Sequence, residues 1–228
     1  MELENKALAK IDDMSTLDGI RATLSPLLTT KFFPKAYDTI EKVMVSIIYG
    51  RELGLSSMTS IQNINVIENK PTLSVHAIAA LIRRGGVSYI LTEDAVWIRS
   101  DGNVDPLQIT KTIVGEDKKI TKVLAHDYVD CRTTIRFRVP YLDGSGYYDQ
   151  DISFYRSEAG DQGLLGKDNW KKMFKIMMRT RCLSIGARFV KPECFMGAVE
   201  TIEHLDYTGA NYEVQESADG FAEVTIIN

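Results

Sequence analysis

A chain of 228 residues with 44% hydrophobic and 25% charged side chains can bury a sizeable core and is not a disordered chain. No apolar run reaches the roughly 18 residues of a membrane span, and residues 1–10 lack the apolar core of a signal peptide, so residence in the compartment of synthesis is expected. Cys131, Cys182 and Cys194 are odd in number and lack C-x-x-C spacing, and His76, His126 and His204 are scattered, which argues against a disulfide framework or a zinc site.

The net charge of −4 is unevenly spread. Residues 200–228 hold seven acids (Glu200, Glu203, Asp206, Glu213, Glu216, Asp219 and Glu223) and no Lys or Arg. Residues 1–199 therefore keep 27 basic against 24 acidic side chains, a net of +3. Such segregation says more about partners than the total does.

Residues 2–30 read as one or two helices. Pro34 suits a first helical turn, and Ala36, Ile40, Val43, Met44, Ile47 and Ile48 recur at helical spacing up to a C-terminal Gly54. A helical turn over 57–62 precedes a strand-like alternation over 63–67 and a turn over 68–71. Ser74 is a suitable N-cap for a helix over 75–84 that Gly85 and Gly86 stop.

The middle is strand-rich. Segments 87–92 and 95–99 read as a hairpin. Residues 133–139 alternate Ile135, Phe137 and Val139 with Arg136 and Arg138, the pattern of a half-buried strand. A turn over 143–146 leads to a partner strand over 147–155. The polar stretch 100–122 is expected to be a mobile loop or a peripheral hairpin. Helix returns from Ser157, and Asp168 is the expected N-cap of one long helix over 169–190, ended by Lys191 and Pro192. Beyond Gly197 the chain is acidic and without period.

That last helix is basic. Residues 165–192 carry Lys167, Lys171, Lys172, Lys175, Arg179, Arg181, Arg188 and Lys191 against the single acid Asp168. On a helical projection Lys171, Lys172, Lys175 and Arg179 fall within about 100° of arc. Trp170, Met173, Phe174, Met177 and Met178 lie opposite, on the expected core face. A cationic ridge is suited to a polyanion, whose binding releases counterions. The ordinary alternative is a solvated helix whose cations pair with acids elsewhere. Arg181 and Arg188 fall near the apolar arc, from which they are expected to reach phosphate by bidentate contacts.

Two blocks carry a family resemblance. Residues 49–74 (YGRELGLSSMTSIQNINVIENKPTLS), followed by Arg83-Arg84-Gly85-Gly86, resemble the RecT/Red-beta family of phage single-strand annealing proteins, in which a Leu-Gly-Leu turn, a Gln-rich strand and a Gly-Lys-Pro-like turn precede a helix ending in Arg-x-Gly. Residues 170–181 (WKKMFKIMMRTR) and 187–192 (ARFVKP) resemble that family's Trp-Met-Arg helix. Ser57 where Pro is common, Asn69 in place of Gly, and segment 100–122 depart from the pattern.

The resemblance implies an α+β fold with a central antiparallel β-sheet flanked by helices and a long basic C-terminal helix. Together with the residue pattern, this divides the chain into an N-terminal helical segment 1–34, an annealing core 35–199 and an acidic tail 200–228. The implied function is binding and annealing of single-stranded DNA in phage recombination within the bacterial cytoplasm, on a ring or helical homo-oligomer. The annealed duplex is the product and a host single-strand-binding protein a further partner. No catalysis, ATP, metal or other cofactor is implied. Arg181 and Arg188 are the DNA contacts the family pattern carries over, with Lys171, Lys172, Lys175 and Arg179 beside them. Gln62, Asn63 and Asn65 on the motif strand, and Arg83 and Arg84 at the helix end, complete the candidate set; for the first three a structural role in the turn is the alternative. Tyr147, Tyr148 and Phe154 either stack bases or pack the sheet.

Other chemistries compete with this reading. The stretch 160–167 approaches a P-loop, but Asp161 stands where the first Gly belongs and Asp168 where Ser or Thr would bind magnesium. The acidic pairs Glu93/Asp94 and Asp149/Asp151 leave open a metal-dependent recombination nuclease. A protein-binding adaptor with a basic helix is the third reading.

Overall fold

The computed structural model describes residues 16–28, 33, 37–67, 70–114, 120–195, 200–201, 212–216 and 222–226. The readings placed on residues 1–15, on Pro34 and Ala36, on Glu68 and Asn69, and on 115–119 lie outside the described residues, as do the side chains of the acidic tail. The chain divides into two compact units, residues 1–81 with 193–228, and residues 82–192.

The first unit is built from α1 (Leu17–Leu28), α2 (Ile40–Glu52) and α3 (Ser57–Asn63), followed by the antiparallel strands β1 (Ile64–Ile67) and β2 (Lys70–Leu73). Ile20 and Leu24 of α1 meet Val43 and Ile47 of α2 and Ile61 of α3 in one buried cluster with Tyr37. The second helix begins at Ile40. Thr39 is its N-cap, in extended conformation, with its hydroxyl accepting from the Lys42 N–H. It stops where expected, since Gly54 takes φ +68, a left-handed conformation that glycine adopts without strain. Gly50 faces α3 so closely that a Cβ there would overlap the Ser60 side chain. The Tyr37 hydroxyl donates to the Ile64 carbonyl.

Helix α4 (Val75–Arg84) forms as expected. The Ser74 hydroxyl accepts from the Ala77 N–H at 3.2 Å, and Gly86 at φ +84 follows its end. The acidic segment is not without regular structure: β9 (Glu200–Thr201) pairs in parallel with β2, and β10 (Tyr212–Glu216) pairs antiparallel with β11 (Ala222–Ile226).

The second unit centres on a four-stranded antiparallel sheet of order β4-β3-β7-β8, formed by β3 (Ser88–Arg99), β4 (Val104–Asp105), β7 (Tyr128–Pro140) and β8 (Tyr147–Tyr155). Segments 87–92 and 95–99 are not a hairpin. They are one strand, β3, whose register against β7 shifts between Leu91 and Glu93 and again between Glu93 and Val96. Between β4 and β7, β5 (Thr110–Val114) and β6 (Ile120–Leu124) form a separate antiparallel hairpin, the peripheral alternative expected for this stretch.

Strand β7 sorts its side chains by alternation. Thr133, Ile135, Phe137 and Val139 are buried, while Arg132, Arg136 and Arg138 face the other way. The chain then runs through α5 (Arg156–Asp161) to α6 (Asp168–Lys172) and α7 (Phe174–Val190). The run expected as one helix is interrupted at Met173, which takes φ −131 and ψ 40, and the residue capping α6 is Lys167, not Asp168. Cys182 of α7 approaches the carbonyls of Thr133 and Ile152 at 3.4 and 3.3 Å, and a Cβ on Gly186 would overlap the Phe137 ring. The helix therefore lies on the apolar face of the sheet, and the molecule is α+β. No helix among the described residues is long and apolar enough to cross a membrane.

Candidate nucleic-acid interface

The basic pair α6 and α7 is seated by aromatic rings. Trp170, 2% exposed, lies 6.4 Å between centroids from Phe154 and 6.4 Å from Phe174. Phe174 stacks on Trp97 at 6.3 Å, and Trp97 meets Tyr128 edge-on at 6.0 Å. These separations suit tilted and offset aromatic pairs. Met177 and Met178 are buried as expected, but Met173, read as core, is 47% exposed at the break.

Seating these rings turns the cations outward. Lys171, Lys172 and Arg179 are exposed and Lys175 is half-buried. Lys175 and Arg179, one turn apart, are about 6 Å from each other along the helix axis. Two carboxylates face this group. Asp168 accepts from Lys172 at 3.4 Å on the exposed turn of α6. Asp94 of β3 accepts two parallel bonds from Arg179, Nε to Oδ1 and Nη2 to Oδ2, both at 2.6 Å, and lies 4.0 Å from the Lys175 ammonium. The Arg179 bonds hold the Asp94 carboxyl below the usual carboxylate range, and Asp94 in turn raises the guanidinium. Four cations thus face two acids.

Arg181 is 2% exposed, and its Nη2 donates to Gln162 Oε1 at 2.6 Å. Arg188 is half-buried with Nε donating to the Ser184 carbonyl at 3.2 Å. Neither stands on the exposed ridge. Arg83 and Arg84 are exposed at the end of α4, with Arg83 over the Tyr89 ring at 4.9 Å.

Gln62, Asn63 and Asn65 belong to the first unit. Gln62 is exposed. Asn63 donates from Nδ2 to the Thr59 carbonyl, and its Oδ1 accepts from the Ser74 hydroxyl at 2.8 Å, while Ser74 N–H donates to the Asn63 carbonyl. Its amide therefore ties α3 to the start of α4. Asn65 is half-buried, and its carbonyl accepts from the Thr72 hydroxyl at 2.9 Å.

Sequence reasoning missed the open face of the sheet. Arg136 pairs bidentately with Asp151, Arg138 with Asp149, and Arg132 with Glu93, all at 2.6–3.0 Å. Thr134 donates to Glu93 at 2.6 Å. A recess of about 360 Å³ opens there, lined by Ser88, Tyr89, Ile90, Arg136, Arg138 and Asp149. The matching alternation of Arg136 and Arg138 with Asp149 and Asp151 was a signal for these cross-strand pairs. Tyr147 and Tyr148 are exposed, the latter 5.4 Å from Tyr141, whereas Phe154 is buried.

Asp94 was also missed as a partner of the ridge. Ala95 beside it has φ +49 although fully buried, and its N–H donates to the Thr133 hydroxyl at 3.1 Å. A left-handed residue with a Cβ costs about 1–2 kcal/mol, and such strain concentrates at functional positions. Burial pushes the Cys131 and Cys182 thiols up to about 12, so both are neutral thiols at ordinary pH. Among the described residues no group of three or more His, Cys, Asp or Glu is placed to hold a metal ion. Comparison with protein-family models, curated proteins and solved structures finds no match to this chain.

Proposed function

We propose that this chain binds single-stranded DNA along the basic helices α6 and α7 and anneals complementary strands on a homo-oligomer, without ATP or a metal ion. The observation that carries this reading is the outward row of Lys171, Lys172, Lys175 and Arg179 on helices pinned by Trp170 and Phe174. An annealing protein must hold a backbone without hiding base edges, and cations on a rigid helix do that because phosphate contacts position a strand and carry no sequence information. The resemblance of residues 49–74, 170–181 and 187–192 to the RecT/Red-beta family supports the same reading. In it, Lys171, Lys172, Lys175 and Arg179 are the direct phosphate contacts, and Arg181, already bonded to Gln162, holds the helix from within.

The test is annealing of complementary oligonucleotides in EDTA with no nucleotide present. The expected result is a rate well above the spontaneous one, falling steeply with added salt. Annealing that vanishes on chelation, while circular dichroism shows the fold intact, contradicts the proposal.

A further inference from the structure

We propose that Asp94 is a built-in competitor for DNA phosphate at Arg179 and Lys175, so that a strand must displace a carboxylate to use half of the cationic ridge. The proposal rests on the single-strand reading above and adds a regulatory element to the same site. Its basis is geometric. A guanidinium edge binds a carboxylate or a phosphate through the same two parallel N–H bonds. Asp94 occupies the Nε and Nη2 edge of Arg179 at 2.6 Å on both oxygens, and the same carboxylate lies 4.0 Å from Lys175. A phosphate on that edge must displace it.

The competitor is supplied by the backbone. Asp94 and Ala95 have no ladder partner on β7, because they lie within the second register shift of β3. Ala95 is pinned there in a left-handed conformation by the Thr133 hydroxyl. A bulge re-aims the side chains beside it: Glu93 pairs with Arg132 on the open face of the sheet, while the next residue reaches Arg179 of α7. The pair is accessible, with the Asp94 and Arg179 side chains 32% and 47% exposed, so a strand can reach it from solvent. Lys171 and Lys172 lie outside this clamp. The full grip therefore forms only when phosphate replaces Asp94.

The experiment measures binding of a labelled oligothymidine to the full chain across a salt series, for the wild type, Asp94→Asn, Arg179→Gln and the double variant. The expected result is that Asp94→Asn binds about five-fold tighter at low salt. Its log K against log salt should keep the wild-type slope, because both proteins neutralise the same phosphates once Asp94 is displaced. The double variant should lose this tightening. Equal or weaker binding by folded Asp94→Asn overturns the competitor and makes Asp94 a structural pin. If Asp94→Asn does not fold, Arg179→Gln decides. Only the phosphate held by Arg179 is lost, since a strand that displaces Asp94 from Arg179 also displaces it from Lys175, so the slope falls by about 0.7; an unchanged slope overturns the proposal. A wild type that binds no oligothymidine even at low salt overturns the single-strand reading itself.

Discussion

On the sheet, Arg136 and Arg138 pair with Asp151 and Asp149, which stand directly opposite them on β8. On α7, Arg179 makes the same kind of bidentate pair with a carboxylate 85 residues away in sequence. The chemistry is identical and the origin differs. The sheet pairs follow from regular register and come with the strands. The Arg179 pair comes with a β3 whose register against β7 shifts on both sides of Glu93, a left-handed Ala95 and a helix laid across the apolar face. Ladder pairs of this type are surface features, screened by water and salt. A pair set in an irregular backbone couples the sheet to the helix that carries the candidate binding residues.

The strongest way to break this coupling is to lift α7 from the sheet. Gly186→Ala places a Cβ against the Phe137 ring, an aromatic that cannot swing aside cheaply. Overpacking of this kind costs about 1–3 kcal/mol. Urea denaturation should show that loss, and single-strand binding should fall with it because the ridge shifts.

Next in size is the half-buried pair of Glu93 with Arg132, which joins β3 to β7 across a register shift. In Glu93→Gln, Arg132 and Thr134 lose a charged acceptor in a site where the Glu93 side chain is only 24% exposed, a loss of about 1–2 kcal/mol. The pH dependence has a defined sign. The Arg132 bonds lower the Glu93 carboxyl, and the Arg179 bonds lower Asp94. Their stabilisation is complete above the ordinary carboxylate range, near pH 4, and is lost as pH falls through the lower folded values. Wild-type stability should therefore drop below about pH 4, and Glu93→Gln should flatten that drop. A parallel profile for the variant contradicts the assignment.

The smallest effect sharpens the comparison from the other side. In Arg138→Gln a solvent-screened pair is lost, so the urea midpoint and single-strand binding should both stay within error of wild type. A marked fall in binding would move the candidate interface from α6 and α7 to the open face of the sheet.

What the sequence disclosed follows the same division. Helix α4 was readable to the residue because its signals are local: a Ser N-cap before it and two glycines after it. Strands β7 and β8 were readable because one face is buried and Ile135, Phe137 and Val139 mark it by alternation. Strand β3 was misread as a hairpin because Glu93 and Asp94 look like a turn when only local composition is weighed; the bulges that absorb them are set by pairing with β7. The break at Met173 carries no Pro or Gly, and methionine suits a helix interior. It arises where Trp170 and Phe174 both seat against aromatic neighbours. Helical projection placed the cations on one arc, but it could not show that Asp94 would meet Arg179, nor that Arg181 would be enclosed beside Gln162.

The central claim is that α6 and α7 form the DNA-binding surface. Its most direct test is the salt dependence of single-strand binding by the triple variant Lys172→Ala, Lys175→Ala, Arg179→Ala. A slope of log K against log salt shallower than wild type by up to three phosphates, about 0.7 each, is the predicted result. An unchanged slope, with the fold intact by circular dichroism, would contradict it.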